Sequence, residues 1–216
     1  MEIHRQERAP RVRIKRPLTE DIQKENYETK ERFIAYFTQI NMIRELKPAT
    51  VLNIGMGTGF LKRYFGGSAV QLVEADIDPD LNPDMIIDIS KKQSQKKQFD
   101  VVTAFQILEH IPFDQLSTAL ENIHGLSKKW AIVSIPQRIV SFSLNLDFPL
   151  VKIPLRFDFE RLFESKTSNA HHQWEMGLLG TSKRDVRKKI SEWFNIEKEF
   201  SVDGNRNHYF FVLSKK

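Results

Sequence analysis

The chain has 216 residues, 40% of them hydrophobic, no cysteine, and a formal net charge of +5. That length suits one sizeable α/β domain and little more, and no run approaches the ~20 apolar residues of a membrane span. The lack of cysteine excludes disulfides, thiolate metal sites and a thiolate nucleophile, and with the last the covalent route to 5-methylpyrimidines. The mild positive charge permits an acidic or phosphate-bearing partner without demanding one.

Residues 1–18 read as a basic arm, in which Arg5, Arg8, Arg11, Arg13, Lys15 and Arg16 are interrupted by Pro10 and Pro17. Such a segment is ordinarily a loosely packed tail; the sharper alternative is a contact to nucleic acid or a phospholipid surface. No apolar segment follows Met1, so no secretory signal is expected and the expected location is cytoplasmic. Residues 19–216 are expected to form a single domain without internal repeats. Thr19 or Asp21 can cap a helix from about 20 to 46, where Tyr27, Ile34, Phe37, Ile40, Ile43 and Leu46 mostly keep a helical spacing.

Thr50 to Phe60 then reads Thr-Val-Leu-Asn-Ile-Gly-Met-Gly-Thr-Gly-Phe. A short apolar run stops at Gly55, Gly57 and Gly59, and Phe60, Leu61, Tyr64 and Phe65 follow on one helical face. Strand, glycine turn, helix is the opening unit of an open α/β sheet. The spacing G-x-G-x-G differs from the G-x-G-x-x-G of dinucleotide folds. It suits a ligand without a pyrophosphate, such as a nucleoside carrying an amino-acid tail. Ala69 to Ala75 is mostly apolar and ends in Asp76-Ile77-Asp78-Pro79. Asp76 lies about 20 residues past Gly55, where a carboxylate can accept both ribose hydroxyls; its plainer role would be to cap a turn before Pro79.

Met85 to Ile89 reads as a short buried strand, followed by a solvated loop carrying Lys91, Lys92, Lys96 and Lys97. The strand Asp100 to Phe105 points its end at the mouth of the sheet, where open α/β sheets bind ligands. Phe105, Gln106 and His110 therefore belong near the ligand. His110 is a candidate base near neutral pH, with a structural role before Pro112 as the alternative. A helix over about 113–126, capped near Asp114, leads into a fifth strand ending at Pro136.

The section 137–180 is too long for a passive connection. It is rich in apolar residues, among them Phe142, Leu144, Leu146, Phe148, Leu150, Leu162 and Phe163, and it should form an irregular cover over the ligand end of the sheet. Within it stands His171-His172-Gln173-Trp174-Glu175-Met176-Gly177. Two readings are open for this run. It can hold the cover down by packing, or it can line a substrate pocket, with His171 or His172 as base, Trp174 as wall and Glu175 beside them. The adjacent histidines would point apart on a strand and no i, i+4 ligand pair exists, so no metal is expected. Ser182 caps a last basic helix with Val186, Ile190 and Trp193 inward, and Phe194 to Val202 and His208 to Leu213 pair as a closing hairpin around Asp203-Gly204-Asn205.

Val51 to Gly59 resembles the first motif of the class I S-adenosylmethionine-dependent methyltransferases, of the methyltransferase type 11 or UbiE-like kind. Val73 to Pro79 resembles their second motif, Phe99 to Pro112 their fourth-strand motif in the version ending Leu-Glu-His, and Trp130 to Pro136 their fifth strand. The motifs cover 50–136 in order. The His-Trp-Glu-(apolar)-Gly run is similar to a segment of a subset of uncharacterised members.

The resemblance implies a Rossmann-like, seven-stranded, mostly parallel sheet with helices on both faces and an antiparallel last strand. It implies S-adenosylmethionine as cofactor and S-adenosylhomocysteine as product. The cofactor would be held by Asn53, Gly55, Met56, Gly57, Gly59, Asp76, Ile77, Asp88, Ile89, Phe105 and Gln106. Asp88 and Ile89 would meet the adenine, and Asn53 would accept from the amino end in place of the usual carboxylate. Tyr36 and Gln39, on a helix that folds over the cofactor, are possible cofactor or substrate contacts. No Asp/Asn-Pro-Pro-aromatic run follows the fourth strand, which disfavours nucleobase amines, and no acidic constellation for magnesium is visible. The acceptor expected is a small molecule or a lipid or glycan precursor, with nucleic acid disfavoured, and the protein is expected to be a monomer or homodimer. A methyltransferase-like binding protein without turnover and a nicotinamide oxidoreductase are the alternatives.

Overall fold

The computed structural model describes residues 28–94, 98–148, 152–159, 167 and 171–216. The basic arm, Thr19, Asp21, Tyr27, Leu150, Leu162 and Phe163 lie outside the described residues. In chain order the elements are α1 (Lys30–Glu45), β1 (Thr50–Ile54), α2 (Phe60–Phe65), β2 (Gln71–Asp76), β3 (Met85–Ile86), β4 (Phe99–Phe105), α3 (Leu116–Leu126) and β5 (Ser127–Pro136). There follow β6 (Val140–Asp147), β7 (Lys152–Phe159), α4 (Lys183–Ile190), β8 (Phe194–Val202) and β9 (Asn205–Lys215).

Seven strands form one sheet in the order β3-β2-β1-β4-β5-β9-β8. The pairs from β3 to β5 are parallel, and β9 runs antiparallel to both β5 and β8. This is the Rossmann-like methyltransferase fold, with its antiparallel closing strand. Central strands covered on both faces need apolar residues at most positions, which is why β1, β4 and the second half of β5 read as largely apolar runs. Alternation then sends neighbours to opposite faces. Leu52, Ile54, Val102 and Ala104 pack with Leu116, Leu120 and Ile123 of α3 and with Val186 and Ile190 of α4. Val51, Val101 and Ile132 pack with Ile40, Met42 and Ile43 of α1 and with Leu61 and Phe65 of α2.

Four expectations change at this level. The buried stripe of α1 is Ala35, Gln39, Ile40, Met42 and Ile43, while Phe37 is exposed. Small Ala35 on that face lets the helix lie close to the sheet, and Phe33 instead meets Tyr36 and Phe60 edge-on. The third strand is only Met85–Ile86. After Ile87 N–H donates to the Asp76 carbonyl at 2.9 Å the chain leaves the ladder, so Ile87 and Ile89 are buried as core residues outside a strand. Asp114 does not cap α3; it lies in a 3-10 turn, Phe113–Gln115, and the helix begins at Leu116 without a side-chain cap. By contrast, Ser182 and Asp185 close a full capping box on α4.

The section after β5 is less irregular than expected. β6 and β7 pair antiparallel, from Val140 opposite Phe159 to Asp147 opposite Lys152, as a two-stranded sheet of their own. The cause is visible in the residues: Phe142, Leu144, Leu146 and Phe148 alternate with polar residues, which is a strand period. These four side chains are exposed. No described helix is long and apolar enough to cross a membrane.

Candidate functional site

Gly55, Gly57 and Gly59 all adopt positive φ, at 82°, 54° and 70°. At Gly55 the constraint is double. An added Cβ would also stand 2.0 Å from Ile107 Cδ1, on the loop after β4. The turn is tied to its neighbours by backbone bonds, Gly55 N–H to the Ala75 carbonyl at 2.7 Å and Gly59 N–H to the Met56 carbonyl at 2.9 Å. Asp76, at the end of β2, accepts from Met56 N–H through Oδ2 at 3.1 Å and from Asp78 N–H through Oδ1 at 3.0 Å. It thus braces the glycine turn with one lone pair on each oxygen and keeps the other for a ligand.

A cavity of about 620 Å³ opens at the C-terminal ends of the parallel strands. Its β2 side carries Asp76, Ile77, Asp88 and Ile89; its floor carries Asn53, Gly55, Met56 and Gly57; α1 contributes Tyr36 and Gln39; the far side carries Phe105, Gln106, Glu109, His110, His171, His172 and His208. Gly59 is outside the lining and starts α2. Tyr36 stacks on Phe60 with centroids 4.2 Å apart, and its hydroxyl stands 3.5 Å from Thr58 Oγ1. Gln106 has φ of 56°, rare for a side chain of its size, and is held by Ser134 through both its N–H and its side-chain amide.

Two polar residues of the lining already have partners within the protein. Asn53 is buried, and its Oδ1 receives the Thr103 hydroxyl at 2.9 Å. One lone pair of the oxygen expected to accept from the cofactor's amino end is therefore spent on Thr103, and the other is left for a ligand. Asp88 lines the cavity but also caps its own loop, accepting from Ser90 N–H and Oγ and pairing with Lys91 at 2.8 Å. Burial pushes the Asp88 carboxyl up, but Lys91 and Ser90 outweigh it and hold it below the usual range.

The far side is a cluster of imidazoles and carboxylates. His172 Nδ1 lies 2.7 Å from Glu175 Oε1, and its Nε2 lies 3.9 Å from Glu109 Oε1. His110 and His172 meet edge-on at 5.3 Å, and His110 Nδ1 is 3.2 Å from the His171 carbonyl oxygen. Glu109 is fully buried and neither of its carboxylate oxygens has a hydrogen-bond partner. Burial pushes this carboxyl up to about 8, against the pull of its own backbone N–H and with a further push from Glu175. Burial likewise lowers His110 to about 4, against the pull of the His171 carbonyl. His208 on β9 is lowered to about 4 by burial, with Arg32 and His172 adding to the effect. Both rings are neutral at pH 7.

Trp174 and Glu175 do not line the cavity. Trp174 is a core residue whose Nε1 donates to the Ile111 carbonyl at 3.1 Å and whose ring meets Phe113 at 4.9 Å. Its indole N–H needs a partner once buried, and the loop after β4 supplies one. Glu175 reaches the cavity only through His172. Together with Gln173 N–H, which donates to the Glu109 carbonyl at 2.8 Å, this segment clamps residues 109–111. Arg32, Asp78, Glu109 and His208 line the cavity unannounced by the sequence. Glu109 alone had a signal, a lone carboxylate within Ile107-Leu108-Glu109-His110-Ile111.

The residues fit a nucleoside with an amino-acid tail. There is an open glycine backbone with no atom within 4 Å of a Cβ added at Gly57, and a braced carboxylate at Asp76. Fold and site define an S-adenosylmethionine-dependent class I methyltransferase. The methyltransferase domain family matches residues 22–176, and the chain belongs to it.

Solved structures agree on the fold. A S-adenosylmethionine-dependent methyltransferase from Clostridium acetobutylicum superposes with a TM-score of 0.58 at 12% identity, over 87% of this chain and 93% of that one. The N-methyltransferase NodS from Bradyrhizobium japonicum, in complex with S-adenosylhomocysteine, gives 0.59 at 10% identity over 91% and 95%. The glycopeptide N-methyltransferase MtfA, also with S-adenosylhomocysteine, gives 0.59 at 10% identity over 88% and 91%. No curated protein matches the sequence.

Proposed function

We propose that the protein methylates an oxygen of a small polar acceptor, a free small molecule or a lipid or glycan precursor. The observation that carries this reading is the division of one cavity into two unlike ends. Asp76 and Asp88 stand at the β2–β3 side, suited to ribose and adenine, where Ile77 and Ile89 would flank the ring. Asn53 and the glycine turn take the amino-acid tail. A cofactor held in that way would have its sulfonium methyl on the side of Tyr36, Gln39, Phe105 and the histidine cluster.

Methyl transfer asks mainly for in-line approach and exclusion of water. An amine acceptor attacks with its own lone pair. A hydroxyl must also shed a proton as the new bond forms. Glu109, His110 and His172, gathered at the acceptor end, are equipment that suits a hydroxyl, which sheds its proton in the bond-forming step. His171 contributes its carbonyl to hold His110. Glu175 positions His172.

The test is release of S-adenosylhomocysteine, followed by mass spectrometry, with matched pairs of alcohol and amine acceptors drawn from sugars, phenols and glycolipids. Product is expected in the alcohol arm. Turnover of amines alone would contradict the oxygen acceptor. Tight cofactor binding with no product from any pair would instead favour a binding protein of this fold.

A further inference from the structure

We propose that Glu109, His110 and His172 bind a divalent first-row transition cation at the acceptor end of the cavity. Each residue offers one ligand atom, and the three atoms lie within 4.8 Å of one another. Ligand bonds of roughly 2.0–2.2 Å place such atoms at most about 4.4 Å apart around one ion. Only a small closing of the cluster is required.

The protonation of both rings is arranged for it. Glu175 accepts from His172 Nδ1–H at 2.7 Å, so Nε2 carries the lone pair, and it is Nε2 that faces Glu109 at 3.9 Å. A carboxylate behind a histidine is the usual outer partner of a metal-bound imidazole, because it fixes the tautomer and raises ring basicity. The His171 carbonyl can only accept, so it holds the proton of His110 on Nδ1 and leaves Nε2 bare.

Glu109 supplies the independent observation. A carboxyl group that is fully buried with both oxygens unpartnered is expensive. A cation between it and two bare nitrogens removes that cost. Two imidazoles and one carboxylate, without thiolate, suit manganese, iron, cobalt, nickel or zinc. Three protein ligands leave open positions toward the cavity.

The proposal rests on the oxygen-acceptor reading above and gives the cluster its means. An acceptor hydroxyl bound to the cation ionises more readily, releasing its proton to water. The oxygen lone pair then forms the new C–O bond as the methyl C–S bond breaks. The electron pair of that bond goes to sulfur, turning the sulfonium into the neutral thioether.

The full chain, stripped with a chelator, is titrated separately with Mn²⁺, Co²⁺ and Zn²⁺. Metal content after desalting, cobalt absorption and melting temperature are read. One bound cation per chain is expected, with visible cobalt bands and a higher melting temperature. Glu109→Gln should weaken binding by about 10- to 100-fold or more, the loss seen even for outer-sphere partners. His172→Asn carries the same comparison should Glu109→Gln not fold. Absence of binding at millimolar free cation, or equal binding by wild type and both variants, overturns the site. S-adenosylhomocysteine titration of the stripped wild type separates the two readings. S-adenosylhomocysteine binding together with failure of all three cation titrations removes the metal alone, whereas cation binding with turnover of amines only removes the oxygen-acceptor reading and leaves the site.

Discussion

Gly55→Ala is expected to lower stability by about 2–4 kcal/mol and to abolish measurable cofactor binding. Two costs add. Alanine at φ of 82° is held in a region that L side chains avoid. Its Cβ would also stand 2.0 Å from Ile107 Cδ1 and 2.4 Å from Cγ1, so the isoleucine must turn or the loop after β4 must retreat. Retreat of that loop displaces Gln106 and Glu109 from the cavity wall. For a domain near this size the loss corresponds to a fall of roughly 5–15 °C in melting temperature. Adding Ile107→Ala relieves the clash but not the φ strain, so the double variant should be more stable than the sum of the single effects predicts. A Gly55→Ala protein that melts and binds like wild type would contradict this account of the turn.

Asp76→Ala is expected to weaken S-adenosylhomocysteine binding by at least about 100-fold, since each of two hydrogen bonds from ribose hydroxyls to the carboxylate contributes about 1.5–3 kcal/mol. Part of the loss is indirect. Met56 N–H in the glycine turn and Asp78 N–H in the loop after β2 each lose their acceptor. Asp76→Asn keeps one acceptor oxygen without the charge and should fall between the two. Calorimetry measures the affinities, and thermal unfolding without ligand shows how much of the loss comes from the turn. Affinity within about threefold of wild type, less than 1 kcal/mol, would place the ribose elsewhere.

The sheet was legible because its signals are local. β1, the glycine turn, β2 and β4 each announce themselves within a few residues, and the spacing from Gly55 to Asp76 orders them. The face of α1 was misread because Phe37 has a larger apolar surface than Ala35, and only docking on the sheet reveals that the smaller residue is needed there. The strand period of Phe142, Leu144 and Leu146 was present in the chain but sat inside a long connection that promised irregularity.

The histidine cluster lay beyond reading for a different reason. Glu109 and His172 belong to separate loops, after β4 and after β7. They meet because Gln173 and Trp174 hydrogen-bond back to the carbonyls of Glu109 and Ile111. His208 arrives on β9, which enters the sheet next to β5 only through the antiparallel closure. The adjacency of His171 and His172 argued against a shared ligand and, in the fold, only His172 of the two joins the cluster; His110 comes from elsewhere.

The most direct test is a calorimetric titration of the wild-type protein with S-adenosylhomocysteine, run beside NAD and followed by thermal unfolding. Binding of S-adenosylhomocysteine is predicted, with about 2.7 kcal/mol of added stability at 100 times its dissociation constant. No heat or shift is predicted with NAD. Binding of NAD in place of S-adenosylhomocysteine, or of neither, would contradict the assignment of this cavity.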